Sequence, residues 1–494
     1  MSWYRILPEL ILICAGVVVM LGEGFLRVGR SRLVLAFVTA VAALVAMGAS
    51  VWQLHEPAGM AYWNAIRTDA FSAYFHVLLS AILLCTVLVT AEYLEDRSGT
   101  GEMYALLLFG TGGMMLMTSA ASLLLVFIGL EISSISSYVM TGFRKQTATG
   151  PEAALKYFLL GSFATAFFLY GVALAFGATG SDSIYAIGQV LSTGPLPTLA
   201  YVSLALMLIG LGFKVSAAPF QVWTPDVYEG APSPVTGFMS TGPKAAAFAV
   251  LLRVLWVAFP ALEPRWSIVI WILAVASMTV GNLGALVQTN VKRMLAYSSI
   301  AHAGYILAAI AVGTQDGAAA VIFYLAGYAA MNIGAFAALS YLGGYEERGG
   351  TLEGMAGLGR RAPFLAAVFT LFLLSLIGMP FTGGFFGKFY VFAAALHGGF
   401  VWLAAIGLLN SGVAAFYYLR VVAAIYMRAE SATQPHKLRP MGFGTATVLV
   451  FAAAATLVLG IIPGHVLEAS QAGAAALTSP IAVPVTSQVS PAQP

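Results

Sequence analysis

Gly212-Phe213-Lys214-Val215-Ser216-Ala217-Ala218-Pro219 decides how this chain is read, because a lysine and a helix breaker stand together inside an apolar stretch long enough to span a membrane. A charge at bilayer depth costs roughly 3 kcal/mol on insertion scales, so such a residue faces protein or internal water and marks an ion path. Proline removes a backbone donor and clashes with the preceding turn. Irregular backbone at membrane depth survives only against protein or a hydrated cavity. Two further stretches pair the same features: Pro243 immediately precedes Lys244, and Pro380, Gly383 and Gly384 precede Lys388. All three prolines are therefore expected to break their helices. The competing reading is a packing kink with the lysine reaching the headgroups, which is open to a lysine within about two turns of a helix end.

Working outward, the composition fixes the class. Of 494 residues 60% are hydrophobic and 9% charged, and the apolar residues recur in runs of about 20, the thickness of the hydrocarbon core. The chain reads as an all-α integral membrane protein of about 14 transmembrane helices. The first run carries Glu9 and Glu23 and lacks a small-residue cleavage site, which argues against a removable signal peptide. Connections after odd-numbered runs hold Arg27, Arg30, Arg32, Arg97, Arg144, Lys145, Lys292, Arg293, Arg348, Arg360, Arg361, Arg428, Lys437 and Arg439, against Arg5, Arg67 and Arg265 on the other side. The positive-inside rule then places both termini on the periplasmic side of a bacterial inner membrane.

Other classes fall away. Cys14 and Cys85 lie in apolar runs, and no C-x-x-C, Walker A or dinucleotide-binding glycine motif occurs. No cofactor, nucleotide or metal is expected on this chain. The net charge of +3 sits in loops where orientation explains it, so no nucleic-acid partner is expected. The stretch after Gly473, rich in Ala, Pro, Ser and Val, reads as a flexible tail.

Two more ionisable residues join the lysines. Glu131 stands about ten residues into the fifth run, too deep for a short side chain to reach water, and is followed by Ser133, Ser134, Ser136, Ser137 and Thr141. Burial and a neighbouring lysine act on a carboxyl in opposite senses, so a movable partner switches its proton affinity; the plain alternative is a structural ion pair. The hydroxyls relay protons or simply bond back to helix carbonyls, the second being the commoner role. His302 lies early in the tenth run, with Tyr305 one turn on; a histidine shuttles protons near neutral pH, or serves as a hydrogen-bonded core residue. His55, His76, His397, His436 and His465 are scattered and show no metal spacing.

At these residues a resemblance emerges. Phe127-Ile128-Gly129-Leu130-Glu131-Ile132-Ser133-Ser134, the run from Phe220 to Pro232 continuing to Gly242-Pro243-Lys244, and the run Ala296 to Tyr305 resemble the antiporter-like subunit N of bacterial proton-translocating NADH:quinone oxidoreductase, respiratory complex I. The likeness extends from about the second run through the fourteenth. It implies two inverted five-helix repeats with broken seventh and twelfth helices. The organisation expected is residues 1–100 for helices 1–3, 101–260 for the first repeat (helices 4–8), 261–430 for the second (helices 9–13), 431–473 for helix 14 and 474–494 for the flexible tail.

The resemblance further implies that Glu131 pairs with Lys214, that Lys244 links the halves, that His302 belongs to the path between Lys244 and Lys388, and that Lys388 connects to the periplasm. Proton translocation coupled to quinone reduction elsewhere would then be this chain's part in the enzyme, with no redox chemistry of its own. NADH, FMN, iron–sulfur clusters and quinone would sit on partner subunits, among neighbouring antiporter-like and other membrane-arm subunits. Moving one charge against 100 mV requires about 2.3 kcal/mol, within what a pair interaction supplies. An ion-conducting subunit of a multisubunit sodium/proton antiporter or membrane-bound hydrogenase shares the Glu and Lys pattern and is the second reading; a small-solute transporter or a structural scaffold is a poorer fit.

Overall fold

Side-chain caps at Asp69, Ser122, Ser183, Asn290 and Thr314, and prolines in the first turns of other helices, set many of the helix starts. The computed structural model describes residues 3–26, 33–94, 99–347, 350–429 and 440–479. In chain order the helices are α1 Leu7–Glu23, α2 Leu33–Gln53, α3 Ala70–Tyr93, α4 Thr100–Ser119, α5 Leu123–Thr141, α6 Thr149–Thr179, α7 Ile184–Thr193, α8 Thr198–Val215, α9 Thr224–Gly230 and α10 Ser233–Arg253. They continue as α11 Glu263–Leu286, α12 Val291–Ala311, α13 Gln315–Gly343, α14 Leu358–Arg361, α15 Pro363–Ile377, α16 Gly383–His397, α17 Val401–Met427, α18 Phe443–Ile461 and α19 Gly464–Thr478. One antiparallel hairpin, β1 Gly59–Ala61 with β2 Ile66–Thr68, joins α2 to α3 and pairs Met60 with Arg67.

Among the described residues twelve helices are long and apolar enough to cross a membrane. The expected count of about 14 is not reached by that measure, for two reasons. Helix α4 carries Glu102 and four glycines, which dilute its hydropathy. The stretch around Pro380 is two helices, α15 and α16, of 15 residues each, and each is too short alone. The packing order places α10, α12 and α13 innermost: every residue of α10 is buried, as are nearly all of α12. Helix α13 packs against α10, α16, α18 and α19, and so stands at the centre of the bundle.

Several expectations change. Pro243 does not break its helix: α10 runs unbroken through it, because the lost backbone bond is confined to one turn inside a fully packed helix. A π-helical turn, Val254–Ala258, follows instead at its end. His302 is central in α12 rather than early, since the helix begins at Val291, where Asn290 caps it by accepting from the Arg293 amide at 3.3 Å. The segment after α18 folds as α19 and packs on α3 and α13, so helix extends to Thr478, past the expected tail boundary at 474; residues 480–494 lie outside the described residues. Of the loop cations, Arg27, Arg30, Arg32, Arg97, Arg348, Lys437 and Arg439 also lie outside them. Arg67, Arg144 and Lys292 are buried rather than solvated.

Candidate functional site: a buried row of lysines and a histidine

The site begins where α4 and α5 touch. A Cβ on Gly113 would stand 2.8 Å from the Gly129 carbonyl, and one on Gly129 2.7 Å from that of Gly113, so the two backbones meet there. This fixes Glu131 and Ser134 on the next turn of α5. Lys214, in the last turn of α8, is 5% exposed and donates to Ser134 Oγ at 2.8 Å, with its ammonium 6.0 Å from the centre of the Tyr157 ring. Ser134 in turn donates to the Leu130 carbonyl at 2.6 Å. Glu131 lies near enough to act electrostatically on Lys214, yet no ion pair forms within 4.0 Å. Its Oε1 is buried without a hydrogen-bond partner among the described residues.

The break beside Lys214 is capped. After α8 ends, Ser216 adopts left-handed φ (62°), its amide donates to Phe213 O at 3.1 Å, and that of Ala217 donates to Gly212 O at 2.8 Å. This is the reciprocal C-terminal cap that satisfies the last carbonyls of a helix. The unwound linker is held from outside: Ala218 N donates to Ser277 Oγ at 2.8 Å, and Trp223 Nε1 donates to Phe213 O at 3.1 Å. Trp223 also stacks on Tyr157 at 4.4 Å between ring centres. The chain resumes in a 3-10 turn, Phe220–Trp223, and in α9.

Lys244, 2% exposed in α10, donates to the Ser299 carbonyl at 2.9 Å and to Ser299 Oγ, and lies 6.0 Å from the Tyr328 ring centre. Ser299 stands in α12 one turn before His302, which is 1% exposed. His302 uses both ring nitrogens: Nδ1 meets Tyr324 OH at 2.7 Å and Nε2 meets Tyr418 OH at 3.3 Å. Tyr418 OH also bonds Ser298. His302 lies within electrostatic reach of both Lys244 and Lys388.

Lys388, 5% exposed in α16, closes the row. Its three ammonium protons match three acceptors: the Leu376 carbonyl at 3.1 Å, the Ile377 carbonyl at 2.7 Å and Ser411 Oγ at 2.8 Å. A cation on the C-terminal carbonyls of α15 meets the negative end of that helix. The cap there repeats the first one: Gly378 has φ 96°, its amide donates to Ser375 O at 2.9 Å and that of Met379 donates to Leu374 O at 3.1 Å. The ammonium lies 4.8 Å from the Tyr305 ring centre, and Tyr305 OH accepts from Asn282 at 3.3 Å.

Lys214, Lys244, His302 and Lys388 are all buried, with Glu131 half-buried beside Lys214, but the lysines are met by hydroxyls and carbonyls rather than by carboxylates. Tyr324, Tyr328, Tyr418, Asn332 and Ser411 were not singled out from the sequence. A signal existed for three of them: Tyr324, Tyr328 and Asn332 recur every four residues along α13, which puts them on one face. Asn332 donates to both Tyr328 OH at 2.9 Å and Ser240 Oγ at 2.8 Å. Also unforeseen is a buried ion cluster in which Asp69, N-cap of α3, is bound by Arg253 at 3.0 Å and by Arg67 at 2.7 Å. Among the described residues no three His, Cys, Asp or Glu side chains converge on a metal-binding group.

With this geometry in place, comparison with known proteins is informative. Residues 120–414, which carry Glu131, Lys214, Lys244, His302 and Lys388, match the family model described as NADH:quinone oxidoreductase/Mrp antiporter, transmembrane. NADH-quinone oxidoreductase subunit N 2 of Koribacter versatilis is 53% identical over 470 residues, covering 94% of each chain. In solved structures, a chain of respiratory complex I from Thermus thermophilus is 38% identical, with a TM-score of 0.80 over 94% of this chain and all of that one. A chain of the Mrp complex from Dietzia has a TM-score of 0.84 over 97% and 98% of the two chains but is 23% identical, which speaks to the fold alone. This chain belongs to the subunit N family of NADH-quinone oxidoreductases.

Proposed function

We propose that this chain conducts protons across the membrane as a membrane-arm subunit of NADH:quinone oxidoreductase, driven by quinone reduction elsewhere in the complex. The observation that carries the reading is the set of buried polar groups Lys214–Ser134, Lys244–Ser299, His302 with Tyr324 and Tyr418, and Lys388–Ser411, in which His302 stands within electrostatic reach of both Lys244 and Lys388. Among the described residues, Lys214, Lys244 and Lys388 each lack a carboxylate within 4.0 Å and rest on neutral acceptors, which leaves each able to give up its proton without stranding a bound counter-ion. Glu131 is the group whose approach or retreat alters Lys214. In the described arrangement Ser134 holds the ammonium, and a proton displaced from Lys214 passes by Lys244 and His302 to Lys388.

The redox groups, NADH, FMN, iron–sulfur clusters and quinone, belong on this reading to partner subunits. The partners are the neighbouring antiporter-like and other membrane-arm subunits. Both termini face the periplasm, a placement supported by how the loop residues meet. Arg67 donates to the carbonyls of Ala476 at 2.6 Å and Ser479 at 3.1 Å, at the end of the bundle that holds the last described residues. Arg144 and Lys292, assigned to the other side, both engage the 346–347 turn, through Glu346 O at 3.3 Å and Glu347 at 3.2 Å.

The sodium/proton antiporter reading keeps the same row with another coupling. The experiment that separates them is NADH-driven proton uptake by inverted membrane vesicles carrying Lys214→Ala at matched complex content. Loss of uptake with NADH oxidation by an artificial acceptor preserved supports complex I coupling. Unchanged uptake removes Lys214 from the path.

A further inference from the structure

Outside the row, a second buried acid–base pair joins the first helix to the third and fourth. Glu9 in α1 is 3% exposed and His76 in α3 is fully buried. Glu9 Oε1 accepts from Ser119 Oγ at 3.0 Å and stands 3.7 Å from His76 Nε2. That nitrogen also meets the Met115 carbonyl at 3.1 Å, and a carbonyl only accepts, so Nε2 carries the proton. His76 Nδ1, Glu9 Oε2 and Ser80 Oγ are all buried without a hydrogen-bond partner among the described residues. Ser80 lies one turn beyond His76 on the same face of α3.

An ion pair built only for stability would not leave such a set of buried polar atoms open, since an unsatisfied buried group is costly. Three arginines stand on neighbouring elements. Arg253 reaches from α10 to the Thr118 carbonyl at 3.1 Å, next to Ser119, and Arg67 of β2 and Arg253 share the one carboxylate of Asp69. Arg5 precedes α1 and bonds Thr68. The charged groups of α4, α13 and α19, Glu102, Asp316 and Glu468, lie elsewhere on those helices, and α2 and α18 carry none.

Depth relates the pair to the row. Asp69 and Arg253 are in contact, and helices rise 1.5 Å per residue, so Ser80, eleven residues beyond Asp69, and Lys244, nine residues before Arg253, stand about 16 and 14 Å from that common level. Helices α3 and α10 pack together. Ser80 therefore lies at the depth of Lys244 on the adjoining helix, with His76 and then Glu9 leading back towards the end of the bundle where α1 begins.

We infer that Glu9, His76 and Ser80 form a proton-holding branch that connects the level of Lys244 to the aqueous face at the start of α1. A proton arriving at His76 Nδ1 makes the ring an imidazolium. Its Nε2 proton passes to Glu9, leaving a neutral ring and a neutral acid, and the acid releases that proton to the aqueous side. The branch rests on the reading of the Lys214-to-Lys388 row as a proton path.

Its test is proton uptake per NADH oxidised in inverted vesicles bearing the assembled complex with Glu9→Gln, His76→Gln or Glu9→Asp, beside Lys214→Ala. The branch requires a loss of part of the uptake per NADH in Glu9→Gln and His76→Gln, recovery in Glu9→Asp, and unchanged electron transfer to an artificial acceptor. Should Glu9→Gln fail to assemble, His76→Gln decides. Undiminished uptake in His76→Gln overturns the branch; if Lys214→Ala still abolishes uptake, the row survives without it, and if Lys214→Ala is also silent, the row itself fails.

Discussion

The Lys214 ammonium is held by Ser134 at 2.8 Å, while Glu131, one turn back on the same helix, stays beyond 4.0 Å from it. On the proposed reading the serine is the resting partner and the glutamate the one that is moved against it. A hydrogen bond to a charged group contributes about 1.5 to 3 kcal/mol. Ser134→Ala leaves Lys214 without its one direct bond and is expected to slow NADH-driven proton uptake about ten-fold or more, with complex content unchanged on native gels. Ser134→Thr, which keeps the hydroxyl, is expected to retain uptake.

The His302 bridge makes a second prediction. Tyr324→Phe and Tyr418→Phe each remove one of its two bonds, at 2.7 and 3.3 Å. The shorter bond matters more, so Tyr324→Phe is expected to depress uptake further than Tyr418→Phe, with both complexes assembled. Equal, native uptake in the two variants would make His302 a packing residue.

Gly384 tests the second break. A Cβ there would lie 1.8 Å from the Ser375 carbonyl oxygen, part of the cap that ends α15. Gly384→Ala must therefore push α16 away from α15 and pull Lys388 off the Leu376 and Ile377 carbonyls. Uptake should be lost while NADH oxidation by an artificial acceptor continues.

Pro243 should behave in the opposite way. Helix α10 is continuous across it, so Pro243→Ala needs no rearrangement and restores a backbone donor. Proton uptake is expected to stay at the native level. A large loss would show that the helix must open there during turnover.

The Asp69 cluster carries stability rather than transport in this account. Removing one partner from a buried ion cluster costs about 3 to 5 kcal/mol. Arg253→Leu leaves Asp69 with Arg67 alone and frees the Thr118 carbonyl. The purified complex is expected to lose its melting transition at lower temperature than the native form, with this subunit dissociating first.

Much of this was legible in the chain because membrane insertion forces apolar runs to a fixed length and makes each interior charge conspicuous. Glu131, Lys214, Lys244 and Lys388 stand out on that ground alone. The likeness of the two halves was harder to read, since Lys214 precedes its break by two residues and Lys388 follows its own by ten. The shared feature is backbone: both breaks carry the same pair of cap bonds, on Ser216 and Gly378, with different side chains. Pro243 misled because a proline's effect depends on packing around it, which composition does not report. The neutral partners Ser299, Ser411 and Tyr324 are ordinary in apolar helices, and only the fold brings them to the lysines. Arg144 and Lys292 looked like solvated loop charges because their acceptors in the 346–347 turn lie far along the chain, and Arg67 because the carbonyls of Ala476 and Ser479 that help bury it do too.

On the proposed reading Lys244 joins the two halves of the row, so its replacement is the most direct test. Proton uptake per NADH oxidised should be measured in liposomes containing the purified complex, native or with Lys244→Met, which keeps much of the side chain's length and removes the charge. Uptake attributable to this subunit is expected to be lost while electron transfer from NADH to an artificial acceptor is retained. Native uptake per NADH in Lys244→Met, with the complex intact, would contradict it.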